Sequence, residues 1–310
     1  MIARGYALHA IVTGATGVIG IALVKKLLSE RISVTAVCRP GSGNFRNLPE
    51  SEYLDICMCD LHRLQELPNL IDAPADWFFH LGWLGTDSRD NRFAAALQVE
   101  NIRVALDAVT AAQALGAKVF VGVGSQSEYG RVADGILRPE TPEHPVSAYG
   151  MAKLCAGQMT RLQCWEAVIR HVWARPLSVY GPSDGKQTLI SAAIAVLRKG
   201  GRFSMTAGEQ LWDYLYAADA AEALYCMAKD GADGAIYPFG CGHAMPLKDY
   251  VQIIREEVNP SAELGFGDVP YLKDQVMHME ADNTALTRDT GWKPRTAFRD
   301  GIRSMLAAGN

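Results

Sequence analysis

The stretch Val12-Thr13-Gly14-Ala15-Thr16-Gly17-Val18-Ile19-Gly20 restricts the folds open to this chain more than any other. It joins a β-branched run, expected as a strand over 7–12, to a helical run over 18–30. In that helix Ile19, Leu23, Val24 and Leu27 share one face. The glycines are spaced G-x-x-G-x-x-G. Gly14 permits the tight turn, Gly17 lets the backbone approach a pyrophosphate, and Gly20 lets helix and strand pack closely. Free N–H groups and the positive end of the helix dipole would meet the phosphates. The loop therefore predicts a bound dinucleotide.

Downstream, short apolar runs alternate with helix-period runs. Strands are expected at 33–38, 53–59, 77–81, 118–123 and 167–173, and helices at 91–115 and 148–161. This alternation argues for a parallel sheet covered on both faces. After Arg175 the texture changes to frequent Pro and Gly, with a helix at 219–229, a strand at 235–239, and helices at 247–258 and 298–307. The expected fold is α/β: a Rossmann-type doubly wound parallel sheet with a smaller mixed α/β C-terminal substrate domain. Residues 1–178 would form the dinucleotide-binding domain, rejoined by about 217–245. Residues 179–216 and 246–310 would form the substrate-binding domain.

Composition excludes several classes. Apolar residues make up 49% of the 310, enough for a full core rather than a disordered chain. The formal charge of −4 lacks the basic excess of a nucleic-acid binder. No run approaches the ~18 apolar residues of a membrane span. The first apolar run ends in the glycine loop instead of a small-residue cleavage site, so no signal peptide is expected. Seven cysteines, an odd number without C-x-x-C, predict a reducing cytoplasmic setting. Cys57 and Cys59 read as core residues, and the scattered histidines predict no metal.

The adenosine end of the site points to one cofactor. NAD binders usually place an acid about 20 residues past the loop, on the ribose 2′-hydroxyl. Here the second strand runs into Val37-Cys38-Arg39-Pro40, with Arg46 in the same loop. Guanidinium groups suit a 2′-phosphate, so NADP is expected, with NAD the alternative. Asp60 is a candidate acceptor for the adenine amino group, or a helix cap.

The reacting groups are expected in Tyr149-Gly150-Met151-Ala152-Lys153. On a helix Tyr149 and Lys153 share a face, and an ammonium nearby favours phenolate. Ser125 ends the fifth strand, where open α/β sheets bind ligands, 24 residues before Tyr149. Its hydroxyl could hold a substrate carbonyl.

Together these parts resemble the extended short-chain dehydrogenase/reductase family of sugar-nucleotide epimerases, dehydratases and ketoreductases. The resemblance covers nearly the whole chain through TGATGVIG (13–20), GSQSEYG (124–130), YGMAK (149–153), RPLSVYGP (175–182), WDYLYAADAAEA (212–223) and GWKP (291–294). It implies that Tyr149 is the general acid/base. Lys153 would be the ribose-binding residue that lowers the phenol pKa, and Ser125 the carbonyl-orienting hydroxyl. Expected cofactor contacts are Gly14, Thr16, Gly17, Val18, Ile19, Arg39, Arg46, Asp60, Leu61, Leu81, Gly82, Trp83, Asn101, Tyr149, Lys153 and Pro176. Asn101 matches a helix asparagine that is usually structural.

The family's 4,6-dehydratases carry an Asp-Glu pair after the hydroxyl residue. Gln126 and Ser127 stand there instead, and neither protonates a leaving hydroxyl well. The expected activity is therefore an NADP-dependent reductase of a nucleotide-diphosphate keto-sugar of the 4-keto-6-deoxyhexose type. The alternative is a sugar-nucleotide 4-epimerase that retains NAD. A non-nucleotide ketone reductase or a non-catalytic NADP sensor ranks lower.

Two departures bear on the substrate. His80-Leu81-Gly82-Trp83 replaces the HLAA of many epimerases, and Trp83 adds bulk near the nicotinamide or sugar, or packs in the core. Trp212 stands where relatives often carry an arginine before the Asp of an RDY-type segment. Lys186, Arg202 and Arg295 are then candidates for the diphosphate, with Ser125, Gln126, Gln210 and Trp212 also on the substrate. A homodimer is expected through the helices at 91–115 and 148–164, with Ala95, Ala96, Val104, Ala105 and Ala108 suited to close packing.

Overall fold

The computed structural model describes residues 8–86, 88, 90–273 and 275–309; Ala7, in the expected first strand, lies outside the described residues. Seven strands build the main sheet: β1 (His9–Thr13), β2 (Ser33–Cys38), β3 (Leu54–Met58), β4 (Trp77–His80), β5 (Val119–Val123), β6 (Arg170–Pro176) and β7 (Ala235–Phe239). All pairs are parallel, and the order is β7-β6-β5-β4-β1-β2-β3. The strand order reverses between β1 and β4. There the carboxyl ends of the strands leave a crevice, the usual ligand position in such sheets.

The longer helices are α1 (Val18–Ser29), α2 (Ala95–Ala114), α3 (Ala148–Glu166), α4 (Leu189–Arg198), α5 (Ala217–Asp230), α6 (Leu247–Val258) and α7 (Phe298–Ala307). Strand residues alternate between the two faces. Trp77, Phe79 and Val121 pack with Leu23, Val24 and Leu27 of α1 and Leu224 and Met227 of α5. Phe78 and Phe120 pack on the other face with Val104, Ala108 and Val109 of α2 and Cys164 of α3. Each of the fully buried Leu23, Val24 and Leu27 contributes about 1.5–3 kcal/mol by leaving water.

Two helix boundaries differ from the sequence expectation by four residues or more. A short 3₁₀ turn, Asp90–Arg92, precedes α2, which begins at Ala95. α3 runs on to Glu166, because no Gly or Pro stands between Arg161 and Val168, which turns the chain at φ 57°.

A second apolar cluster lies beyond the carboxyl edge of the sheet. Tyr180, Ile194, Leu197, Ile254 and Met305 form its centre. Small sheets frame it, including Tyr214–Tyr216 beside Ser178–Tyr180 and a four-stranded sheet through Leu211–Trp212. Among the described residues no helix is long and apolar enough to cross a membrane.

Candidate active site

The glycine loop is shaped by how closely the main chain must approach itself. Gly14 has φ 67°, and a Cβ there would lie 2.7 Å from Gly82 N. A Cβ on Gly20 would lie 2.1 Å from Gly14 O. A Cβ on Gly17 would meet nothing nearer than Gly14 O at 3.5 Å, so this stretch of backbone is bare toward the space beside it. That space is a cleft of about 420 Å³ lined by Gly14, Thr16, Gly17, Arg39, Asp60, Leu61, Leu81, Gly82 and Trp83. A bare glycine turn opening a helix, with an arginine and a carboxylate at the far end, fits a dinucleotide.

The expected cofactor residues do not all converge there. Ile19 and Pro176 line a second cavity, and Val18 lines a groove between α1 and α5. Arg46 is exposed and does not line the cleft; its guanidinium lies 5.8 Å from the Phe45 ring centroid. A 3₁₀ turn, Gly43–Asn47, carries it away from Arg39. Asp60 caps the turn that follows, accepting from His62 N at 2.9 Å, while still lining the cleft. That hydrogen bond holds its carboxyl below the ordinary range. Asn101 lines neither cavity. Its amide accepts from Leu84 N at 2.7 Å and donates to Leu84 O at 3.1 Å, fixing the loop after β4.

Leu81, Trp83 and Thr86 line both the cleft and the second cavity, of about 770 Å³. Ser125, Gln126, Tyr149 and Lys153 meet in that cavity, as do Gln210 and Trp212. The end of β5 presents Ser125, whose hydroxyl accepts from Ser127 N at 3.1 Å and donates to Gln126 Oε1 at 2.6 Å. Ser147 caps α3, accepting from Gly150 N at 3.1 Å, and so sets the first turn that carries Tyr149. One turn later Lys153 Nζ donates to Val123 O at 2.6 Å. The same ammonium lies 3.6 Å from the Trp83 ring centroid. Trp83 stands edge-on to Tyr149 with centroids 6.0 Å apart, and donates to Gln98 Oε1 at 3.0 Å. It is thus a wall between cofactor cleft and reacting groups, beyond any part in the core.

Burial dominates the electrostatics here. It lowers the Lys153 pKa to about 7, with Glu128 opposing. It raises the Tyr149 phenol, while the hydrogen bond with Ser125 and the Arg92 guanidinium pull it down. Arg92 lies 5.3 Å from the Tyr149 ring centroid and lines the cavity.

The candidate diphosphate cations lie elsewhere. Arg202 pairs with Asp268 at 2.9 Å and Glu263 at 3.2 Å, tying the strand Phe203–Met205 to Leu264–Phe266. Lys186 and Arg295 are exposed and line neither cavity. Gln210 is buried and bonds Thr206, and Trp212 donates its indole N–H to Ser178 Oγ at 2.8 Å.

Three lining or supporting residues are not singled out by the sequence: Arg92, Glu128 and Asp184. Asp184 accepts from Thr188 Oγ1 and Gly185 N, and burial raises its carboxyl. Glu128 had a legible signal. Ser125-x-x-Glu128 is the spacing of a capping box, and Glu128 Oε1 accepts from Ser125 N at 2.7 Å. Arg92 ends a short 3₁₀ turn and Asp184 sits in a loop, neither within a motif.

The model of the NAD-dependent epimerase/dehydratase family matches residues 10–240. The CDP-abequose synthase of Salmonella muenchen is 22% identical over 303 residues, 96% of each chain. The dTDP-glucose 4,6-dehydratase of Streptomyces griseus is 26% identical over 323 residues, 96% of this chain and 93% of that one. A UDP-glucose 4-epimerase from Thermotoga maritima, solved with UDP-glucose, superposes with a TM-score of 0.86. It is 22% identical over 97% of this chain and 98% of its own. Other solved structures of this fold hold NADPH or NAD.

Proposed function

Because the chain belongs to the NAD-dependent epimerase/dehydratase family, we propose that it reduces a nucleotide-diphosphate keto-sugar of the 4-keto-6-deoxyhexose type with NADPH. The observation that carries this reading is the pairing of two features. Arg39, not an acid, lines the adenosine end of the cleft, and Ser125, Tyr149 and Lys153 meet in the adjoining cavity. Gln126 and Ser127 supply no acid for dehydration. The likeness to an abequose synthase supports a deoxysugar substrate.

In this mechanism Gly14, Thr16, Gly17 and Arg39 hold the cofactor, with Asp60 on the adenine. When bound, the reduced nicotinamide supplies a hydride to the sugar carbonyl carbon. Ser125 orients the carbonyl oxygen by a hydrogen bond. Tyr149 gives that oxygen its proton. The raised phenol pKa keeps Tyr149 in the acid form that reduction requires. The Arg92 guanidinium, with Lys153 in its ammonium form, then steadies the phenolate left behind. Gln126, Gln210 and Trp212 bind the sugar nucleotide. Residues 179–216 and 246–310 act as the substrate-binding part, and the enzyme works in the cytoplasm.

The protein is further proposed to form a homodimer through α2 and α3. Of the residues expected to suit close packing, Ala95 and Ala96 are exposed, while Val104, Ala105 and Ala108 are buried within the chain and so are not the contact. The outward apolar residues are Val99 on α2 and Met151, Met159, Leu162 and Trp165 on α3, with Trp165 75% exposed. Such a face suits a second copy. Light scattering of the purified protein would give twice the chain mass; a monomer would contradict it.

The test of the main reading is the nucleotide released by acid from purified protein. An empty protein that binds NADPH far more tightly than NADH is expected. Near-stoichiometric NAD that survives gel filtration would instead indicate the 4-epimerase.

A further inference from the structure

Behind the cavity lies a buried charge cluster with no role in the mechanism above. Arg175, on β6, is 1% exposed. Its Nε donates to Glu128 Oε2 at 2.6 Å, and its Nη2 donates to Glu143 Oε1. Glu128 is fully buried. Its carboxylate also accepts from Ser125 N at 2.7 Å and from Trp173 Nε1 at 3.1 Å. Glu143 is partly exposed.

Burying such a pair is a poor way to gain stability. Desolvation of both ions offsets most of their attraction, and apolar residues of similar volume do as well. The placement of the three residues along the chain suggests another use. Glu128 lies three residues after Ser125, and Glu143 six residues before Tyr149. One guanidinium therefore grips both segments that bring the reacting groups together. The segments also touch directly. A Cβ on Gly150 would lie 2.3 Å from Ser127 O, so the first turn of α3 rests on the Ser125 turn.

We propose that Arg175, Glu128 and Glu143 form a clasp that positions Ser125 against Tyr149. The inference rests on the reading of Ser125, Tyr149 and Lys153 as the reacting groups. Arg175 is a positioning residue, acting through the two carboxylates. Glu128 also acts electrostatically on Lys153. The other groups facing Lys153 are Tyr149 on its own helix, the Trp83 ring, Val123 O and His80 of β4. Burial holds His80 at about 3, so it is neutral near pH 7. Glu128 is the carboxylate that favours the ammonium.

The test uses the full chain with Glu128→Gln, Glu143→Gln and the double variant. NADPH oxidation with a nucleotide-linked 4-keto-6-deoxyhexose is followed across pH. Small misplacements of reacting groups can lower rates by up to about 100-fold. The expected loss in kcat is about 10–100-fold for Glu128→Gln and about 3–10-fold for Glu143→Gln, with KM for NADPH within about twofold. The double variant should be no slower than Glu128→Gln, because both carboxylates act through one guanidinium. A second readout needs no substrate: the ¹⁵Nζ NMR titration of Lys153, assigned by its loss in Lys153→Met. Its midpoint should fall in Glu128→Gln.

Unchanged kcat in folded variants, or losses that multiply in the double variant, would overturn the clasp. If Glu128→Gln does not fold, the kcat of Glu143→Gln decides. If the native chain reduces no keto-sugar, the functional reading fails while the Lys153 titration still judges the clasp. An unmoved midpoint would then refute it.

Discussion

The cleft around Gly14 and the cavity beyond Trp83 share a wall but are built from different material. The first is lined by Gly14, Gly17, Gly82 and Gly85, with Gly20 packed behind the loop, where a Cβ would strike Gly14 O. The second is walled by side chains that bond one another, such as Trp212 with Ser178 and Gln210 with Thr206. A backbone site recognises what all its ligands have in common and tolerates no change in its own atoms. A side-chain site can be retuned one residue at a time. This matches the physical demands of a constant cofactor and a variable substrate.

The sharpest way to break this contrast is Gly20→Ala. A methyl 2.1 Å from Gly14 O cannot be accommodated without moving the loop. Cofactor binding should be lost in calorimetry, with a stability loss of about 3 kcal/mol, the upper end for overpacking. A bound cofactor at native affinity would show that the loop is not the rigid cradle described. Next in size is Tyr149→Phe. It should lower kcat by about 10²–10⁴-fold, the usual worth of a general acid, with the NADPH dissociation constant unchanged. Comparable turnover would remove Tyr149 from the chemistry.

Arg39→Ser probes the guanidinium that lines the far end of the cleft with Asp60. NADPH binding should weaken by about 10–100-fold, as for hydrogen bonds to charged groups, and NADH binding should hardly move. Equal weakening of both would assign Arg39 to the fold.

A further test lies where the two regions meet, at Lys153. Its pKa falls from 10.5 to about 7 on burial. Between about pH 7 and 10.5 the unfolded chain then holds a proton that the native lysine does not. Linkage makes this contribution to stability rise with pH across that window. Lys153→Met should remove the rise and increase the melting temperature of the cofactor-free protein near pH 7. An unchanged pH dependence would contradict the buried state of the ammonium.

The two regions were also unequally legible in the sequence. The glycine spacing, Ser125 and the Tyr149–Lys153 pair are local patterns, each fixed by one turn or one helical repeat. Arg39 follows from its place at a strand end. Arg46 misled because a short helical turn carries it outward. Arg202 misled because its partners Asp268 and Glu263 are more than sixty residues away. Arg175 falls just past the strand expected at 167–173, and only the fold, which extends that strand to Pro176, brings Glu128 and Glu143 to it. Val104, Ala105 and Ala108 read as outward packing residues for a related reason, whereas they are buried and Ala95 and Ala96 are exposed. α2 is apolar on more than one side, so sequence period alone could not tell Val99 from Val104.

The central claim is that hydride passes from NADPH to a sugar carbonyl and stays there. NADPH deuterated at nicotinamide C4, on each face in turn, should be incubated with a nucleotide-linked 4-keto-6-deoxyhexose and the product weighed. One face should deliver a single deuterium to a newly formed secondary alcohol, with NADP released. A sugar nucleotide isomerised without deuterium, by a protein carrying NAD, would contradict the account.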